Sequence, residues 1–97
     1  MKLLLSPEQA SHAASINSTG PTSIYLLRDL QLVPDKFFSD AEEEARTQGK
    51  SPQGTIAYAQ AAALFQALYD LERDGIVGPT TVKYLLSAHG AAGYLVL

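Results

Sequence analysis

Two histidines are the residues most able to do chemistry in this chain, and neither has the company that chemistry needs. His12 follows Glu8 by four residues, one turn along a helix. That spacing can orient an imidazole or supply two metal ligands, but two ligands do not make a site, and the plainer reading is a surface pair. His89 sits in the turn-prone run Ala88-His89-Gly90 and reads as an exposed loop histidine. Serines and aspartates are present, yet no serine stands in a G-x-S-x-G elbow. Asn17 to Thr22 supplies glycine and hydroxyls without the lysine and spacing of a phosphate loop. Asp35, Asp40 and the run Glu42-Glu43-Glu44 do not fall at the positions of a calcium-binding EF-hand loop. Tyr25 and Arg28, three apart, share one helix face and could form a ligand-contact patch. The acidic run reads either as a solvated face or as a patch for a basic partner.

The elements that would carry these residues are mostly helical. Ser6-Pro7-Glu8-Gln9 is a helix start, with serine as cap, proline at the first position and glutamine at the third. A first helix runs from Pro7 to about Ile16, and a second from Ser23 to Leu32, where Val33-Pro34 stops it. Ser39-Asp40-Ala41-Glu42 has capping-box spacing. A third helix is therefore expected to carry Asp40, Glu42, Glu43 and Glu44 in its first turn, where the helix dipole favours negative charge. It stops at Gly49.

The central stretch is Gly54 to Asp74. Its alanines and leucines give high helix propensity. Gln60, Ala63, Ala67 and Asp70 form a narrow polar stripe with Gln66 and Arg73 at its edge; the rest is bulky and apolar. A surface helix shows the opposite balance, so neighbours must bury this one on two or three sides. From Pro79 onward the pattern allows a helix ending before Gly90. It also allows a strand over Thr81 to Leu86, returning through a hairpin to Tyr94-Leu95-Val96-Leu97, with the apolar terminal residues expected to dock beside Lys2 to Leu5.

Ninety-seven residues predict a single domain, 1–97, large enough for a core of its own. There is no cysteine, hence no disulfide, thiolate metal site or cysteine nucleophile. A net charge of −3 argues against binding nucleic acid through its phosphates. Charged residues make up 18%, a low share that predicts apolar surface covered by another subunit. Met1 to Leu5 is too short for a signal peptide and no run suits a membrane span, so a soluble, cytoplasmic protein without membrane contact is expected.

Two local resemblances stand out. Asp74-Gly75-Ile76-Val77-Gly78-Pro79-Thr80-Thr81 resembles the DGxxGPxT turn of small helical peptidoglycan-binding domains. There the glycines make the turn and the threonine opens the next helix. The aromatic that follows in that family falls here at Ala88-His89. Leu68 to Val77 resembles the end of a winged-helix recognition helix entering its wing, which would make Thr81 to Leu97 the wing hairpin and the protein a DNA-binding regulator. Yet Gly54 to Glu72 holds no basic residue for phosphates or base edges.

The sequence therefore predicts a mainly α protein: a compact bundle of four or five helices around a central buried helix at about 54–74, with a small β element from the termini or a C-terminal hairpin. The expected function is non-enzymatic binding of a protein partner by an inhibitor, adaptor or small structural subunit, of the kind found among phage accessory proteins, assembled as a homo-oligomer. No cofactor or metal is implied. The candidate contact residues are Asp40, Glu42, Glu43 and Glu44 with exposed parts of Tyr58, Phe65 and Tyr69. A winged-helix regulator and a peptidoglycan-binding module are the alternatives.

Overall fold

The computed structural model describes residues 4–93. Among them are five α-helices: α1 (Pro7–Asn17), α2 (Tyr25–Arg28), α3 (Lys36–Gln48), α4 (Ile56–Leu68) and α5 (Pro79–Gly93), with a 3-10 turn at Pro52–Gly54 before α4. They pack into a globule with a Cα radius of gyration of 12.7 Å. No helix among the described residues is long and apolar enough to cross a membrane.

α1 forms as its first residues dictate. The Ser6 hydroxyl accepts from the Gln9 backbone N–H at 3.2 Å, and the Gln9 side chain accepts from the Ser6 N–H at 2.9 Å. α2 is only four residues long. Gln31 takes a left-handed φ of 58°, which turns the chain early so that Ile24, Leu27 and Val33 enter one cluster. α3 begins at Lys36, ahead of the Ser39 cap expected from the sequence. Phe38 and Ser39 already donate to the Asp35 carbonyl, and Phe38, Ala41 and Ala45 form its buried stripe. The acidic residues therefore lie along the helix, not in its first turn.

α4 is the hub. Tyr58, Ala61 and Phe65 pack with Ile24, Leu27, Val33, Phe38, Ala41 and Leu85; Ala59 and Ala63 pack with Leu5, Ala10 and Ala13. The expected burial is present, although the helix is shorter than expected. It ends at Leu68, because Asp70 takes a left-handed φ of 56°. Leu71 N–H then reaches back to the Gln66 carbonyl and Asp70 N–H to the Ala67 carbonyl, the two bonds of a Schellman stop. An aspartate fills the position that glycine usually takes, so a search for glycine places the end too late, at Gly75. Its start has two caps. The Thr55 hydroxyl accepts from Tyr58 N–H, and the Glu44 carboxylate, from α3, accepts from Ile56 N–H at 2.7 Å and Ala57 N–H at 3.2 Å.

Gln60 and Gln66, the polar side chains read from sequence as a wet stripe or its edge, are buried. Each clamps non-helical backbone. Gln60 exchanges two bonds with Leu5, accepting from its N–H at 3.1 Å and donating to its carbonyl at 2.9 Å. Gln66 accepts from Gly75 N–H at 2.9 Å and donates to Asp74, the Ile76 carbonyl and Thr81. Asn17 donates to the Gly75 carbonyl and accepts from Val77 N–H. These amides do for 74–77 what a neighbouring strand would otherwise do. Gly75 needs both its φ of +73° and its missing side chain, since a Cβ would lie 2.6 Å from Leu5 Cδ1 and 2.9 Å from the Ala59 carbonyl.

The described residues contain no strand. Thr81 to Leu86 is helical, not the first arm of a hairpin, because Thr81, Leu85 and Ala88 fall on one buried helical face. The helix runs past Gly90 to Gly93. The proposed pairing of the termini involves Lys2 and Tyr94 to Leu97, which lie outside the described residues.

Candidate acidic interface

The two surface features singled out in the sequence, the Tyr25–Arg28 pair and the acidic helix, meet in the structure. Arg28 Nε and Nη2 donate to the two carboxylate oxygens of Asp35 at 2.7 and 2.9 Å, a fork-to-fork pair. Arg28 Nη1 donates to Glu42 at 3.0 Å, and the Tyr25 hydroxyl donates to the same carboxylate at 3.0 Å. The guanidinium also lies 6.0 Å from the Phe38 ring centroid. The electrostatics follow from this contact. Hydrogen bonding to Asp35, then to Glu42, strengthens the hold of Arg28 on its proton. Arg28 in turn holds the Asp35 and Glu42 carboxyls below their ordinary range, and Glu42 pushes the Tyr25 phenol up.

Beside this network lies a groove of about 800 Å³ lined by Arg28, Asp29, Gln31, Leu32, Val33, Pro34 and Asp35. Its floor exists because Gln31 reverses the chain. Leu32, 44% exposed, and Tyr25, 49% exposed, remain uncovered at this face. Charge is concentrated here as well. Residues 25–48 hold six carboxylates and three cations, which is the entire net charge of −3; the remaining four carboxylates and four cations cancel.

The other candidate residues scatter. Asp40 pairs with Lys36 at 3.1 Å and Glu43 is exposed on α3. Glu44 turns inward to cap α4 and pairs with Lys50 at 3.1 Å, so it belongs to the fold. Tyr58 and Phe65 are completely buried, which corrects the expectation that parts of them face a partner; they fill the core between α4, α2 and α3. The Tyr58 hydroxyl has no hydrogen-bond partner among the described residues, and burial pushes its pKa well above that of an ordinary phenol. Tyr69 is half-buried, 4.6 Å from the Phe65 ring and 6.1 Å from Tyr84.

His12 is exposed and shares a shallow cleft of about 280 Å³ with Leu5, Gln9, Glu72, Arg73, Asp74 and Ile76. His89 is not in a loop. It lies half-buried on α5 with Nε2 against the Leu26 carbonyl, a contact that ties α5 to α2. Reasoning from sequence missed Asp29, Gln31 and Leu32. A fixed helix from Ser23 to Leu32 hid the turn that makes the groove.

The chain matches no family model, no curated protein and no solved structure in the comparisons made.

Proposed function

We propose that this is a non-enzymatic binding protein whose contact surface for another protein is the α2–α3 face. One observation carries this reading: all of the net negative charge lies on the segment that also forms an open groove with uncovered Leu32 and Tyr25. Interfaces combine apolar anchors with a polar rim in this way, and localised charge steers the encounter. A role as an inhibitor, adaptor or small subunit fits a surface of this kind. Between Tyr58 and Gln66 the central helix is not the contact face, since its own chain covers it; only its ends, Ile56 and Leu68, are exposed. That cover also leaves α4 no side to lay in a DNA groove.

The test compares three baits of known fold by circular dichroism: wild type, the α3 double variant Asp40→Lys/Glu43→Lys, and the α5 variant Lys83→Glu. Wild type and Lys83→Glu are expected to retain the same proteins from an extract of the producing cells, and the α3 variant to lose them. The reading falls if wild type retains nothing above an unrelated bait, or if all three retain the same set. A low-salt gel shift with duplex DNA, or retention on cell-wall sacculi, would replace it.

Self-association is a second reading, favoured by Leu68 at 60% exposure and Leu86 at 57%, with Tyr84 beside Tyr69. Light scattering at micromolar concentration that gives the 10.4 kDa monomer removes it.

A further inference from the structure

We infer that the groove between α2 and α3 takes a segment of the partner in which an arginine or lysine stands next to an apolar side chain; this rests on the interaction reading above. The walls are of two kinds. Leu32, Val33 and Pro34 are apolar, whereas Asp29 and Asp35 are carboxylates. A volume of about 800 Å³ accommodates a few side chains rather than a flat contact.

The only cation in the lining is already engaged. Arg28 gives two bonds to Asp35 and one to Glu42, so its charge is more than compensated and it does not repel a second cation. Asp29 makes no ion pair among the described residues and is exposed. Asp35 keeps 66% of its side chain exposed despite its bonds, leaving lone pairs for a further donor. The excess negative charge of residues 25–48 excludes an acidic segment and selects a basic one.

The groove is formed before any ligand arrives. The Arg28 fork joins α2 to the start of α3, and the left-handed Gln31 fixes the bend between Asp29 and Val33. A preformed seat spares the occupant the cost of ordering its receptor. Leu32, held half out of the fold at its rim, supplies the surface that an apolar neighbour of the basic residue would cover.

Fluorescence anisotropy with three labelled peptides tests this. One alternates arginine with leucine, one has glutamate for every arginine, and one has glycine for every leucine. The first should bind and the second should not. The third should bind more weakly than the first. Asp29→Lys and Leu32→Ser should each weaken the first peptide by about threefold to fivefold. Glu72→Lys, a charge reversal outside the groove, should leave it unchanged. The inference is overturned if the arginine–leucine peptide does not bind, if both groove variants bind it as wild type does, or if Glu72→Lys weakens it equally. Should the bait experiment still place a partner on the α2–α3 face while the peptide is ignored, this inference falls alone; if the baits also show no dependence on that face, the interaction reading falls with it.

Discussion

Asn17, Gln60 and Gln66 on one side of α4, and Arg28, Asp35 and Glu42 on the other side of the fold, are both networks of multiply bonded polar side chains. The first is dry. Its three amides are at most 5% exposed and most of their bonds go to backbone that no helix or strand satisfies. The second is wet, and its partners are other side chains that water could replace. A buried donor left without a partner loses its whole hydration, whereas an exposed ion pair exchanges one good environment for another. The dry network therefore fixes the fold, and the wet one is free to be rearranged by a ligand.

Breaking the dry side should cost most. Gln66→Leu leaves Gly75 N–H without its acceptor and removes the donor shared by Asp74, Ile76 and Thr81. A loss of about 3 kcal/mol in urea unfolding is expected. Asn17→Ala strands one carbonyl and one N–H of 75–77 and should cost about 2 kcal/mol by the same measurement. A midpoint close to wild type for both would show that water enters and the network is not dry.

Tyr58→Phe sharpens the contrast from the other direction. It removes a buried hydroxyl that no described residue satisfies and keeps the ring, so stability should rise by about 1 kcal/mol. In the unfolded chain the Tyr58 phenol ionises near 10.0, while the folded core keeps it protonated. Its contribution is thus complete below that pH and is lost as pH rises above it. The variant should show a shallower fall in Tm on the alkaline side.

The smallest effect belongs to the wet network. Arg28→Gln should lower Tm by less than either amide variant, and the difference should shrink in high salt. Asp35 and Glu42 are held below their ordinary values of 3.8 and 4.5. Their contribution is therefore present above those values and is lost as pH falls through the lower folded ones. Wild type and Arg28→Gln should converge in Tm on acidification from pH 4.5. A gap that persists in acid would mean that Arg28 acts through its packing on Phe38 rather than through charge.

The same division explains what could be read in advance. Local rules were legible: the Ser6–Gln9 box, and a hub helix identified from the dearth of polar positions within Gly54 to Asp74, though not its early end at Leu68. What escaped depended on partners distant in sequence. Gln60 and Gln66 look like solvent-facing residues until Leu5 and Gly75 arrive beside them, 55 and 9 residues away. Asp70 looks like part of a helix until its left-handed turn is seen. The groove was hidden for a local reason, since the left-handed turn at Gln31, a residue without the glycine signature of such turns, shapes the stretch from Arg28 to Asp35.

The Glu44 cap has a bearing on how this chain would behave in pieces. The first amides of the hub helix depend on a carboxylate that arrives from twelve residues earlier. A synthetic peptide covering only 52–70 would keep the threonine cap and fray at Ile56, and one extended back to 36 would gain order at that end. The acidic helix thus contributes to the start of its neighbour as well as to the outer surface.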